Sequence, residues 1–111
     1  MGYRSQVAIA IRNSKRDDFI SRLSEESKNL LGLVDAHHEG QDATLYYFEW
    51  VKWYDGEEIE GLIGNEFSED AFFLRLGEED GDMEERGTWW GGGEFEISYT
   101  RHLTFSGAPT P

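Results

Sequence analysis

Residues 4–12 alternate in character. Val7, Ile9 and Ile11 fall on one side, and Gln6, Ala8 and Ala10 on the other. A period of two with β-branched residues on one side predicts a strand. The stretch SKRDDFISRLSEESKNLL then changes to helical spacing, with Phe19, Ile20, Leu23, Leu30 and Leu31 recurring, and it predicts one helix over 14–31. Ser14 and Asp17 resemble a capping box, and Gly32 is a natural stop. Residues 33–39 predict a second strand and ATLYYFEWVKWY, 43–54, a third, joined as a hairpin through EGQD. DGEEIEGLIGNEFSED predicts a second helix over 56–68. Asp55 and Glu58 form its capping pattern, and Ile59, Leu62, Ile63 and Phe67 its apolar stripe. AFFLRL is a fourth strand, and EFEISYTRHLTF a fifth.

The order β-α-β-β-α-β plus one further strand predicts an α+β fold of the ferredoxin-like, split βαβ kind. Two helices lie on one face of an antiparallel sheet, and strand one lies between strands three and four. A chain of 111 residues suits one domain over 1–105, with 106–111 as a flexible tail. If the Val7/Ile9/Ile11 side takes the helices, the opposite face carries Arg4, Gln6, Ala8, Ala10, Phe73 and Arg75. Strand three adds either Tyr47, Glu49, Val51 and Trp53, or Tyr46, Phe48, Trp50 and Lys52. A floor of small residues flanked by aromatics and arginines suits a planar or anionic ligand, or a second copy of the chain. The competing expectation is a face covered by the long acidic loop.

Charge changes the picture most. Twenty-three acidic residues against ten basic ones give a net charge of −13. Such a surface repels phosphate backbones, so direct nucleic-acid binding is not expected, and a basic protein surface is the natural partner. The chain has no cysteine, which excludes disulfides and thiol chemistry. Its first residues lack the pattern of a signal peptide, no stretch is long and apolar enough for a membrane span, and a cytoplasmic setting is expected.

The densest acidic segment is RLGEEDGDMEERGTWWGGG, 75–93. Asp80, Asp82 and Glu84 alternate like the start of a calcium loop. Counting from Asp80, however, Glu85 takes the place that requires glycine, and Gly91 the place that requires a bidentate glutamate. No metal site is therefore expected. His37 and His38 are neighbours on a strand and point to opposite faces. No phosphate loop, nucleophile elbow or HExxH occurs, so neither catalysis nor a cofactor is expected. The segment is instead expected to make contacts. Glu78, Glu79, Asp80, Asp82, Glu84 and Glu85 would supply charge, Trp89 and Trp90 would anchor its base, and Gly91 to Gly93 would let the chain turn back.

With MGYRSQVAIAI at the start, VKWYDG at 51–56 and RLGEEDGDMEERG at 75–87, the chain resembles a family of small acidic tailed-bacteriophage accessory proteins. The matching positions are Arg4, Trp53, Tyr54, Asp55, Arg75, Gly77 and Glu78, while the Trp-Trp-Gly-Gly-Gly run departs from the pattern. The resemblance implies a phage accessory gene whose product acts stoichiometrically in the host cytoplasm on host machinery or immunity. The leading expectation is thus a non-catalytic inhibitor, of anti-CRISPR or similar anti-defence type, docking on a basic, nucleic-acid-binding host protein. A second expectation is a module that sequesters a small anionic ligand such as a nucleotide signal, using Arg4, Trp53, Tyr54, Phe73 and Arg75 on the open face. A third is a role in virion structure or assembly.

Overall fold

The structure is a computed structural model that describes residues 4–53, 56–79, 81–89, 93, 95–99 and 103–104. Along the chain these form β1 (Ser5–Arg12), α1 (Asn13–Ser21), α2 (Glu25–Leu31), β2 (Ala36–Glu39), β3 (Ala43–Val51), α3 (Glu57–Gly64), β4 (Ala71–Leu76), β5 (Met83–Arg86), β6 (Ser98–Tyr99) and β7 (Leu103–Thr104). The first five strands make one sheet in the order β2-β3-β1-β4-β5, with every neighbouring pair antiparallel. β1 lies between β3 and β4, and β2 and β3 form the expected hairpin. The protein is an α+β fold, with three helices among the described residues.

Helical periodicity over 14–31 merged two helices into one. Ser24 interrupts it, because its Oγ accepts the Ser27 N–H at 3.3 Å and starts α2, with Glu25 and Glu26 in the first turn. The expected Ser14/Asp17 box does not form. α1 starts after Arg12 without a side-chain cap and is held by Asn13, whose Nδ2 donates to Gly40 O at 3.0 Å. Thr44 Oγ1 donates to Asn13 Oδ1 at 2.7 Å. The second predicted helix stops at Gly64, and Phe67 reaches the core from the turns that follow. Asp55 of its capping pattern lies outside the described residues.

All three helices pack on one sheet face. Phe19, Leu23, Leu30, Leu31, Ile59, Ile63 and Phe67 meet Val7, Ile9, Ile11, Tyr46, Phe48 and Phe73 there. The opposite face is not open. Ala8, Ala10, Leu45, Phe72 and Leu74 are buried beneath Phe95 and Ile97, with Trp89 packed beside them. The cover comes from the segment after the acidic stretch and not from the acidic residues themselves. The predicted fifth strand is replaced by the β6–β7 pair, a separate ribbon whose β7 lies against β1 and β4.

Two parities also change. Ala8 pairs with Leu74 and Ile9 with Phe73, so Phe73 and Arg75 belong to the helix side. On β3, Ser5 pairs with Val51 but Val7 with Phe48, a bulge that gives β3 one extra residue. Past the bulge the alternation flips. Tyr46 and Phe48 before it, and Val51 and Trp53 after it, all reach the helix side. The acidic stretch is itself partly strand. The Gly77 N–H donates to Asp82 O at 2.8 Å before β5, and β5 pairs with β4 as an edge strand.

Candidate functional site

On the helix side, at the end of the sheet where β1 begins and β4 ends, lies a cleft of about 580 Å³. It is lined by Ser5, Trp53, Glu57, Glu60, Gly61, Arg75, Asp82, Glu84 and Arg86. One wall is the exposed side of α3, the other is the β4–β5 hairpin, and Trp53 forms part of the lining. Trp53 is fixed by edge contacts with Phe48 at 5.4 Å and a tilted contact with Phe73 at 5.8 Å between ring centres. Gly56 is required beneath it, since a Cβ there would overlap the indole.

Arg75 organises the hairpin wall. Its Nε donates to Glu84 Oε1 at 2.8 Å, Nη2 to Asp82 Oδ1 at 2.8 Å, and Nη1 to Asp82 Oδ2 at 3.3 Å and Ser5 Oγ at 3.0 Å. Nη2 also lies 2.6 Å from Glu84 Oε1. The side chain is only 10% exposed, so its donors face protein acceptors and not solvent. Burial works to lower its pKa, but the hydrogen bonds and charges of Asp82 and Glu84 outweigh this and raise it.

Glu60 on α3 closes the cleft from the other side. Trp53 Nε1 donates to Glu60 Oε2 at 2.8 Å, and Arg86 Nη2 approaches Glu60 Oε1 at 3.5 Å and Glu84 Oε2 at 2.9 Å. Burial pushes the Glu60 carboxyl up, the contact with Glu84 adds to this, and the Trp53 bond and Arg86 oppose it. Burial also works against ionisation of Glu84, but its bonds to Glu60 and Arg75 and the charge of Arg86 hold its carboxyl below the usual range. The two carboxyls therefore differ in character although both face Arg86.

The residues expected to form a contact segment are divided by this arrangement. Asp82 and Glu84 neutralise Arg75, Glu85 is half-buried, and only Glu78 and Glu79 of the described acids in the segment are exposed. Trp89 is not a free anchor. It packs under the sheet with Arg12 stacked 4.3 Å above its ring. Asp80, Trp90 and Tyr54 lie outside the described residues. Of the expected anion-binding set, Trp53 and Arg75 share the cleft, Phe73 is buried behind Trp53, and Arg4 is elsewhere. The Arg4 N–H donates to Glu78 Oε1 at 3.1 Å, and its Nη1 donates to Trp50 O at 3.5 Å.

Sequence reasoning missed Ser5, Glu57, Glu60, Gly61 and Arg86. Glu60 was legible in part, since it flanks the Ile59/Ile63 stripe on the helix that follows Trp53. Arg86 was not, because it depends on a strand hidden in a run of acids. It also missed the pair of large apolar side chains left exposed among the described residues, Trp50 at 51% and Leu33 at 69%.

Fold and site together define a small acidic α+β protein with a charged cleft at one sheet end. Comparison with protein-family models, with curated proteins and with solved structures gives no match. No helix among the described residues is long and apolar enough to cross a membrane.

Proposed function

We propose that the protein is a non-catalytic docking protein that binds a basic protein surface through the sheet end carrying Glu78, Glu79 and Trp50. One observation carries this reading: the Arg4 backbone N–H donates to the exposed Glu78 and its guanidinium to the carbonyl of the exposed Trp50, so Arg4 joins an exposed carboxylate and an exposed aromatic residue at one sheet end. Such an anchor supplies desolvated contact area, and the charges steer encounter. Net −13 fits a basic partner. The phage resemblance makes that partner a nucleic-acid-binding host protein and the role an inhibitory one in the host cytoplasm. The sheet order β2-β3-β1-β4 supports the ferredoxin-like reading of the fold, with β5 as an added edge strand.

An anionic ligand is the weaker alternative. The face meant for it is covered, and the Arg75 donors are already turned to Asp82, Glu84 and Ser5. That cover also removes the flat face on which a second copy would have paired.

The test is a matched charge reversal. Binding to a partner captured from host extract is measured at low and high salt for Glu78→Lys/Glu79→Lys, for Trp50→Ser, and for Asp17→Lys/Glu69→Lys. The last pair changes net charge equally at the other end of β1. Docking at the Glu78 end predicts loss with the first two variants and retention with the third. Equal loss with both charge reversals sinks the site and leaves only bulk electrostatics.

A further inference from the structure

The cleft holds more acceptors than its own donors use. Glu57, Glu60, Asp82 and Glu84 line it against two guanidiniums, Arg75 and Arg86, so carboxylates are in excess. The excess lies on one wall. On the hairpin side Asp82 and Glu84 take the Arg75 donors, and Arg86 Nη2 lies 2.9 Å from Glu84 Oε2. On the α3 side Glu60 Oε1 meets Arg86 only at 3.5 Å, and Glu57 has no hydrogen-bond or ion-pair partner among the described residues. A ligand entering the cleft therefore meets guanidiniums already engaged and carboxylates that are not, and it must bring donors.

α3 presents these acceptors together. Glu57, Glu60 and Gly61 stand at i, i+3 and i+4, on one side of the helix. Glycine is unfavourable inside a helix, and here it leaves that part of the wall free of side chain. Trp53 adds an apolar surface, fixed by its indole N–H, which donates to Glu60 Oε2 at 2.8 Å. The carboxylates are dispersed. Among the described residues no three acidic or histidine side chains are grouped to hold a metal ion. Some 580 Å³ of space with dispersed acceptors and an aromatic side fits an organic cation with several donors better than a point charge.

We propose that the cleft receives an arginine side chain of the basic partner protein, with Glu57 and Glu60 as its acceptors and Trp53 as the apolar side of the site. A guanidinium carries five donors and can serve both carboxylates at once, whereas an ammonium is a compact, strongly hydrated charge. The cleft lies at the same sheet end as the docking surface. Ser5 in its lining follows Arg4, which reaches Glu78 and Trp50. The source of the side chain rests on the docking reading; the chemistry of the cleft does not.

The test titrates the full chain with N-acetyl-argininamide, followed by the NMR shifts of the Trp53 indole N–H and the amides of residues 57–61. The expected result is saturable binding that moves these resonances. The lysine analogue binds more weakly, and the uncharged citrulline analogue does not bind. Glu57→Gln weakens binding about tenfold, the loss of one charge-assisted contact. Glu69→Gln, an equal charge change on an exposed residue outside the cleft, does not. Gly61→Met obstructs the wall and abolishes binding. Methionine suits a helix and a Cβ there meets nothing within 4 Å, so the variant keeps its fold. Equal binding of the citrulline or lysine analogue overturns the assignment, as does equal weakening by Glu57→Gln and Glu69→Gln. In partner binding Gly61→Met is also expected to cost about tenfold. A Gly61→Met protein that loses the arginine probe but keeps the partner overturns the partner's side chain as the occupant. Retention of the partner by the Glu78 and Trp50 variants, with loss by Gly61→Met, instead removes the docking surface and leaves the cleft.

Discussion

Arg75 grips Asp82 at two points, Nη2 to Oδ1 at 2.8 Å and Nη1 to Oδ2 at 3.3 Å. This fork closes the turn of the β4–β5 hairpin, and Glu84 completes it from the strand. Loss of the guanidinium would leave two carboxylates adjacent in a poorly solvated site. Arg75→Ala is expected to destabilise the fold by about 3 kcal/mol in urea unfolding. Arg75→Lys keeps the charge but not the planar fork, and is expected to lose about half as much. Combining Arg75→Met with Asp82→Asn and Glu84→Gln should recover most of the loss, because no unpaired charge remains.

Gly87 and Gly81 form a second, matched test. Both adopt positive φ, 85° and 82°. A Cβ on Gly87 would overlap the Ala71 carbonyl oxygen, whereas one on Gly81 meets nothing within 4 Å. Gly81→Ala should therefore cost only its left-handed backbone, about 1 kcal/mol. Gly87→Ala should cost about 3 kcal/mol or more, since the backbone contact must also give way. Thermal or urea denaturation of the two variants distinguishes them.

The tryptophans should separate by role. Trp53→Ala removes a buried ring wedged between Phe48 and Phe73 and should cost about 3–4 kcal/mol. Trp89→Ala should also destabilise, by about 2 kcal/mol, because the ring packs under the sheet and beneath Arg12. Trp50→Ser should change stability by no more than about 0.5 kcal/mol, since the ring is half in water. A Trp50 variant that unfolds would place this residue in the core.

Stability should respond to pH with two opposite signs. Glu84 and Glu58 have lowered pKa values, Glu58 first through the Ser24 backbone N–H that it accepts. Their contribution is present above the unfolded glutamate pKa and is lost as pH falls. Glu60 is raised, so the folded state holds its proton longer than the unfolded state does. Its contribution is full below the unfolded pKa and is lost as pH rises through the folded value. Glu60→Gln should flatten the decline on the alkaline side of that range, and Glu84→Gln should flatten the acid side. Melting temperatures of the three proteins across mildly acidic to neutral pH check both.

What could be read from the sequence follows from where polar and apolar positions differ. β1 was legible because Val7, Ile9 and Ile11 contrast with Ala8 and Ala10. β4 was legible as a strand but not in its facing, because Phe72, Phe73 and Leu74 are buried whichever way they point. The small residues of β1 suggested an open floor. In the fold they are small because Leu45, Phe72, Leu74, Phe95 and Ile97 fill the space above them. The parity of β3 could not be settled from alternation, since the bulge places Phe48 and Trp53 on the same side. The break between α1 and α2 was available in Ser24-Glu25-Glu26, a capping serine followed by acids, within a pattern that reads as continuous. The cleft was not legible, because β5 looks like solvated charge until Arg75 is placed opposite it.

The two borders of the sheet, β2 and β5, carry the sequences AHHE and MEER. An edge strand offers an unsatisfied ladder to any passing chain, and charge is what discourages its use. Here that protection is made largely of carboxylates, on a molecule that is strongly acidic throughout. It is therefore conditional on solution acidity. As acid reduces the net negative charge of the molecule, mutual repulsion between copies falls away. Acidification strong enough to remove that charge should favour edge-to-edge stacking of this protein into ordered aggregates.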